Sequence, residues 1–507
     1  MTEQLHENIL VRGVNWIGDA VMTMPALRAL RRAFPEAKIS LLVKPSVAPL
    51  FEGSRAIDDI ILYEERFRGI AGRLELSGML RSKRFSKAIL LQNAFDAALL
   101  AFLAGVPERI GYRRDGRGLL LTKPVAFNGD DRRIHHIQYY LNLLEAAGIA
   151  TGDPQAQPWI PLSSEERMSA RSKLKELKRP LLGINPGAAY GSAKRWPPER
   201  FAEVADRFAA DTGGSVVIFG GKGEAGLAQE IERATQAPAL LLAGKTSLRG
   251  LIALISECDI LVSNDSGPMH IAYAVGTPLV AIFGSTDPGL TGPVGEASVV
   301  VKSDVPCSPC FERTCKDKGL KCMLEITADD VYSGVKKLLP RRRAVFFDRD
   351  GTLCRDAHFL HKWDDLEVFP DIGSVRELKE KGYMLIGVSN QSGIRRGLVD
   401  ESFVKEVNGF FIDKYGFDDF YYCAHGPDEH CPCRKPEPAL LHAARAKYGI
   451  NLKESFMVGD KDADMLLAKA VGARAILVRT GKQKESAIAD FTADNLKEVV
   501  AYIGANG

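Results

Sequence analysis

The sequence has no apolar run near the ~18 residues that a membrane-spanning helix needs; the longest candidate, Ala97 to Val106, reads as buried helix. It lacks a strong charge bias, since 67 Lys+Arg against 64 Asp+Glu leave a net charge of only +3, too little to argue for nucleic acid as a partner. There is no low-complexity tract and no short internal repeat. With 46% hydrophobic and 26% charged residues, that excludes a disordered chain, a collagen-like repeat and a coiled-coil rod. The opening MTEQLHEN carries acids and no apolar segment, so a cleaved signal peptide is not expected and a cytoplasmic location is. The nine cysteines form no disulfide framework. They fall in two tight clusters plus the isolated Cys258 and Cys354, which suits metal ligation in a reducing compartment.

What is present is strand–helix alternation, three times over. The 507 residues suggest about three domains. ILVRGV (9–14) reads as a strand, NWIGDA as a turn, and the segment from Val21 to Phe34 as a helix with Arg28, Arg31 and Arg32 largely off its apolar face. Alternation runs on to about residue 150 and implies a mostly parallel α/β sheet. TGDPQAQPWIPLSSEE (151–166) reads as a connector. A second series follows, with strands RPLLGIN, SVVIFGG, DILVSN and PLVAIFG, and 326–339 as a closing helix. Two successive units of this kind suggest two Rossmann-like lobes with a cleft between them. Pro340 and Arg341–Arg343 punctuate the chain before a third α/β series. The expected domains are 1–160, 161–340 and 341–507. Residues 1–150 hold 21 Lys+Arg against 16 Asp+Glu, so the positive excess lies at the front.

The third series opens with FFDRDGT, in which an apolar strand delivers Asp348 and Asp350 to its carboxyl end, where open parallel sheets place their sites. One carboxylate can attack phosphorus while the other serves the leaving oxygen as acid and base. Ser389 with Asn390 closes the strand MLIGVSN, Lys435 sits in CRKP, and Asp460 and Asp464 follow SFMV. Serine and lysine suit phosphate oxygens. Asp460, Asp348 and the backbone carbonyl of Asp350 suit Mg²⁺. Cys423, His425, Cys431 and Cys433 form a CxHx5CxC pattern whose thiolates and imidazole suit tetrahedral Zn²⁺. His430, beside Cys431, fits the spacing less well than His425. A zinc-ordered loop would fix Arg434 and Lys435 at the mouth of the site.

Residues 344–507 resemble the haloacid dehalogenase (HAD) phosphatases. The resemblance implies Asp348 as nucleophile through an aspartyl-phosphate, Asp350 as general acid/base, Ser389 and Lys435 on phosphate, and Asp460 on Mg²⁺. NQSGIRRG, CRKP and the zinc pattern look like the heptose bisphosphate phosphatases and the related histidinol-phosphate phosphatases; the short x5 loop is similar to the latter, so the substrate stays open between them.

Residues 8–340 resemble the ADP-heptose:lipopolysaccharide heptosyltransferases, whose two-lobed fold is called GT-B. The resemblance rests on RGVNWIGDAVMTMPALRAL, LLQNAFDAALLAFLAGVPERIGY, NPGAAYGSAKRWPPERFAE, AGKTSLRGLIALI and above all SNDSGPMHIAYAVGTPLVAIFGSTDP, and leans toward the members that add the second heptose. Read physically, SNDSGPMH follows a strand and begins a helix, so backbone N–H groups at Ser266 and Gly267 can hold a diphosphate. His270 can add a donor, Lys194 a point charge without metal, and Asp265 and Glu224 acceptors for sugar or ribose hydroxyls. Asp19, placed in the turn after the first strand, is a helix N-cap or a base on residue grounds; the resemblance makes it the base that deprotonates the acceptor. Arg109, Arg113, Arg114, Arg117, Arg132, Arg133, His135 and His136 suit an anionic acceptor, or form a solvated loop, with peripheral contact to an anionic leaflet at most. Cys307, Cys310, Cys315 and Cys322 form Cx2Cx4Cx6C, open between a metal, an iron–sulfur cluster and neither. Trp16, Trp196 and Trp363 are expected to be packing residues.

The fused reading is transfer of heptose from ADP-heptose to the lipopolysaccharide core by 1–340 and removal of the 7-phosphate of heptose bisphosphate by 341–507, with Mg²⁺ and Zn²⁺ as cofactors. A different sugar phosphatase, a nucleotide-sugar epimerase on the same two lobes and a binding scaffold are its rivals.

Overall fold

Strands of three to eight residues, the central ones apolar and buried on both faces, build three parallel sheets that helices must cover on both sides. The computed structural model describes residues 7–127, 133–152, 157–316, 319–429 and 431–507. They form two compact units, Met1–Leu338 and Leu339–Gly507.

The first unit holds two sheets. One comprises β1 (Asn8–Arg12), β2 (Lys38–Val43), β3 (Asp59–Leu62), β4 (Lys87–Leu90), β5 (Glu108–Tyr112) and β6 (Lys123–Val125), in the order β3-β2-β1-β4-β5-β6. Ile9 on β1 faces Ile39 on one side and Lys87 on the other. The other comprises β7 (Leu181–Asn185), β8 (Ser215–Ile218), β9 (Ala239–Leu241), β10 (Ile260–Asn264), β11 (Leu279–Phe283) and β12 (Ser298–Lys302), in the order β12-β11-β10-β7-β8-β9. The second unit repeats the plan with β13 (Arg343–Phe347), β14 (Tyr383–Asn390), β15 (Asp419–Cys423), β16 (Phe456–Gly459), β17 (Arg474–Val478) and β18 (Phe491–Ala493), ordered β15-β14-β13-β16-β17-β18. In every sheet the leading strand is central and the order reverses between the first and fourth strands. That reversal opens a crevice at the carboxyl ends of β1/β4, β7/β10 and β13/β16.

The two lobes of the first unit share one hydrophobic core. They meet where the helices Ile17–Ala33 and Gly267–Ala274 begin. A Cβ on Gly18 would lie 2.6 Å from the His270 ring, and one on Gly267 would lie 2.9 Å from Ile17, so only glycine permits this approach. Ile160 of the connector donates its N–H to the Ala274 carbonyl at 3.1 Å, and Arg28 and Arg32 bond the carbonyls of Gln157 and Thr151. Arg31 departs from the sequence expectation. It is buried and bonds Asp58 and the carbonyls of Pro35 and Ala37, because the strand and loop beyond the helix close over it. The closing helix, Ala328–Leu338, packs on β10, β11 and β12. Among the described residues no helix is long and apolar enough to cross a membrane.

Of the tryptophans expected to pack, Trp196 is fully buried and donates to the Ile326 carbonyl at 3.0 Å. Trp16 and Trp363 are 55% and 46% exposed, Trp363 with its ring against Phe403 and Phe410.

Candidate active sites

In the second unit, β13 ends on Asp348 and β16 leads into Asp460, on the two sides of the crevice. The carboxylates of Asp348, Asp460 and Asp464 bring ligand oxygens within 4.8 Å of one another, all three buried. Lys435 reaches in from the loop after β15, its Nζ 2.7 Å from both Asp348 and Asp464 and donating to the Val388 carbonyl at 2.9 Å. Burial works against the ammonium, but Asp348 and Asp464 hold its pKa above the ordinary lysine value. Burial pushes Asp464 up to about 7, against the pull of Lys435 and with Asp348 and Asp460 adding to the rise; burial and then Asp348 raise Asp460 as well. One Asp460 oxygen is buried without a hydrogen-bond partner. Hard oxygen donors and crowded like charges, with only Lys461 at 3.4 Å from that Asp460 oxygen, are what a divalent cation satisfies, so these residues fit Mg²⁺.

The Asp350 carboxylate is elsewhere. Arg349 grips it through Nε at 3.1 Å and a terminal nitrogen at 3.0 Å, and Gln391 Nε2 donates to it at 2.8 Å. The carboxylate grouping thus contains Asp464, which sequence reasoning named without a role, and not the side chain of Asp350. Gln391 also reaches the Ser389 hydroxyl at 3.2 Å, joining the acid/base candidate to the phosphate candidate. Asn390 fixes the opposite loop, accepting the Lys435 N–H at 3.0 Å and donating to the Lys435 carbonyl at 3.2 Å. These partners were legible only as neighbours of the motif.

Cys423 ends β15, and its thiol lies 3.4 Å from Cys431 and 3.3 Å from Cys433; His425 Nδ1 is 3.2 Å from Cys433 and 3.6 Å from Cys423. Three sulfurs and one nitrogen at the corners of a small tetrahedron are a soft donor set that fits Zn²⁺. Hydrogen bonding to Cys423 and then Cys431 pushes His425 up to about 10. Arg434 donates to the His425 carbonyl at 3.3 Å, which ties it to the loop. His430 lies outside the described residues.

In the first unit the donor candidates gather at the carboxyl ends of β7, β8, β10 and β11. Asn185 donates to the hydroxyls of Ser263 and Ser266 at 3.1 and 2.9 Å, bridging the crevice. Lys194 and Asp265 form a buried ion pair, and Thr286 donates to Asp265 at 2.6 Å. Glu224 accepts from the Gly221 N–H at 2.8 Å and fills the space where a Cβ on Gly187 would sit. Gly267 opens the helix behind Ser266. His270 is enclosed with its ring against Gly18 and Nδ1 3.3 Å from the Tyr273 hydroxyl; burial pushes its pKa down to about 4 against the pull of Asp265 and Asp19.

Asp19 lies in the first turn of the helix Ile17–Ala33, and not in a preceding turn. Nor is it the N-cap: Trp16 takes that position with no capping side chain. Its carboxylate, about one-third exposed, is 3.5 Å from His136 Nδ1.

The arginine-rich segment divides. Arg117 is fully buried, donating to the Tyr112 carbonyl at 2.9 Å, to Asn93 at 3.1 Å and to the Gln92 carbonyl, so it holds the loop together and takes no acceptor. Arg109 donates to the carbonyls of Leu120, at 2.6 Å, and Val106, at 2.5 Å. Arg114 lies over the Phe127 ring at 4.5 Å, and Arg113 packs against Gly118. Arg132 is outside the described residues. Composition could not separate guanidinium groups turned inward onto carbonyls from those facing a ligand. Cys307, Cys310, Cys315 and Cys322 are not among the metal-capable groupings of the described residues, and the Cys315 sulfur accepts the Leu320 N–H at 3.4 Å.

Residues 73–321 match glycosyltransferase family 9 (heptosyltransferase), and residues 432–504 match the HAD-hydrolase-like family. Lipopolysaccharide heptosyltransferase 2 of Escherichia coli K12 is 33% identical over 348 residues, 66% of this chain and 99% of that protein. D-glycero-beta-D-manno-heptose-1,7-bisphosphate 7-phosphatase of Haemophilus ducreyi is 36% identical over 179 residues, 32% of this chain and 98% of that protein. The solved structure of E. coli ADP-heptose lps heptosyltransferase II superposes with a TM-score of 0.57 at 30% identity, covering 66% of this chain and 98% of that one.

Proposed function

The chain belongs to the glycosyltransferase family 9 heptosyltransferases over its first two thirds and to the HAD-like heptose bisphosphate phosphatases over the rest, and from that premise we propose a bifunctional enzyme of lipopolysaccharide heptose assembly. One observation carries the reading: a single chain spans almost the whole of both kinds of relative, and both act on heptose.

In the first unit, ADP-L-glycero-D-manno-heptose lies with its diphosphate at the start of the helix Gly267–Ala274, beside Ser266 and within reach of Lys194, whose charge it shares with Asp265. Glu224 stands where a strand-end carboxylate meets sugar or ribose hydroxyls. Asp19 takes the proton of the acceptor hydroxyl as that oxygen attacks the anomeric carbon from the face opposite the leaving ADP, inverting configuration. The acceptor is the lipopolysaccharide core.

In the second unit, Asp348 attacks the 7-phosphorus of D-glycero-D-manno-heptose 1,7-bisphosphate. Lys435 and Ser389 bind the phosphoryl oxygens. Asp350, oriented by Arg349 and Gln391, protonates the leaving sugar oxygen and then activates water against the aspartyl-phosphate. Asp348, Asp460 and the Asp350 backbone carbonyl would hold Mg²⁺, which neutralises phosphate charge when bound. Cys423, His425, Cys431 and Cys433 would hold Zn²⁺, keeping Arg434 and Lys435 in place. Any membrane contact is peripheral, through the acceptor.

Two assays on the full chain test this reading: phosphate release from heptose bisphosphate against histidinol phosphate, and heptose transfer from ADP-heptose to truncated lipopolysaccharide. A preference for histidinol phosphate, or turnover of ADP-heptose that needs no acceptor, would overturn the corresponding half.

A further inference from the structure

His136, grouped by sequence with the arginines as a candidate for an anionic acceptor, stands against the base instead. It is the first residue of the helix His136–Ala146, which packs on the helix Ile17–Ala33, and its Nδ1 is 3.5 Å from Asp19 Oδ1. The start of that helix is pinned from both sides. His135 accepts the Ile137 N–H on Nδ1 at 3.2 Å, so its Nε2 carries the proton donated to the Gly292 carbonyl of the second lobe at 2.9 Å. This fixes the backbone that presents His136. The His136 side chain is 40% exposed, which leaves the ring in touch with water.

We propose that His136 acts through Asp19 as a positioning and relay residue that unloads the proton taken from the acceptor; the inference rests on the transferase reading. A carboxylate close to the hydroxyl, backed by an imidazole in touch with water, gives the proton an exit that does not retrace its path and speeds the return of Asp19 to its basic form, without altering the equilibrium of the transfer. The acceptor O–H bond breaks as its oxygen bonds to the anomeric carbon, and ADP leaves with the electron pair of the severed C–O bond. The proton lands on Asp19 and passes to Nδ1 of neutral His136. The Nε2 proton then goes to water, which leaves the ring as the Nδ1–H tautomer, and proton exchange with water restores the Nε2–H form before the next turnover. The titratable and charged groups around the pair are Tyr139 and Tyr140 on the same helix, Arg114 beside Tyr139, the neighbouring His135, and His270 with Asp265 and Lys194 behind it. His270 is buried and neutral, so Asp19 is the carboxylate that faces the His136 ring.

The test uses the full chain, with ADP binding by calorimetry as the control for folding of the first unit, which contains His136. H136A is expected to lower transfer kcat by about 10- to 100-fold with KM for ADP-heptose unchanged. Added imidazole should restore rate to H136A, and H136Q should stay slow. A wild-type rate in H136A, no rescue by imidazole, or full rate in H136Q, would overturn the relay. NMR titration of the His136 ring decides the pairing without any substrate: its midpoint should fall in D19N, and an unmoved midpoint would sink the pair. A wild-type chain that transfers no heptose counts against the proposed function and leaves the NMR result to judge His136.

Discussion

The enclosed imidazole of His270 turns burial into a pH dependence. Its folded pKa is lowered to about 4, whereas in the unfolded chain it returns to about 6.5. Between those values the unfolded chain binds a proton that the folded chain refuses. The contribution is therefore present above pH 6.5 and is lost as pH falls toward 4, by up to about 3 kcal/mol. Chemical denaturation at pH 7 and at pH 4.5 should show that loss in wild type and a smaller one in H270Q; equal slopes would mean the ring is not held neutral. Asp348 carries a sharper expectation. D348N should lower phosphate release by at least about 10³-fold, with the fold unchanged by circular dichroism. Asp348, Asp460 and Lys435 were legible in the sequence because strand ends are predictable from apolar runs and chemistry collects there. Asp464 was within reach, four residues after Asp460 at a helix start, but its buried pairing with Lys435 is tertiary. Arg117 was misread for a related reason, since an arginine-rich loop does not disclose which guanidinium turns inward.

At the level of elements, the segment from Cys423 to Cys433 draws Cys423, His425, Cys431 and Cys433 together. It follows β15 and carries the loop to Lys435, so its order reaches the nucleophile through a single turn of chain. Metal analysis of the purified protein should find at least about one equivalent of zinc. C431S should lose it and lose phosphatase activity, while heptose transfer persists. Zinc-free, fully active protein would contradict the donor set. Strands too short to show an apolar run, such as β6, β9 and β18, were not singled out; those that were named were read within a few residues of their ends, because buried parallel strands announce themselves as apolar runs. The start of the first helix was not, since Trp16 is no capping residue and nothing local marks Ile17 as helical.

For the whole molecule, the two chemistries sit in separately folded units. D19N should abolish transfer and spare phosphate release, D348N should do the reverse, and ADP should still bind D19N by calorimetry. Among the described residues both groupings able to hold a metal lie in the second unit. A chelator is therefore expected to stop phosphate release and leave heptose transfer running, to be checked on one preparation with both assays. The architecture of three parallel sheets was legible from strand–helix alternation. The seam between the first two lobes was not, because no periodicity reports which glycines face a neighbouring helix.

That seam is set by two missing side chains. With Gly18 under His270 and Gly267 under Ile17, any larger residue at either position would wedge the heads of the two helices apart. Asp19 and Ser266 stand beside those glycines, so the closeness of the two lobes at this point rests on the absence of two methyl groups.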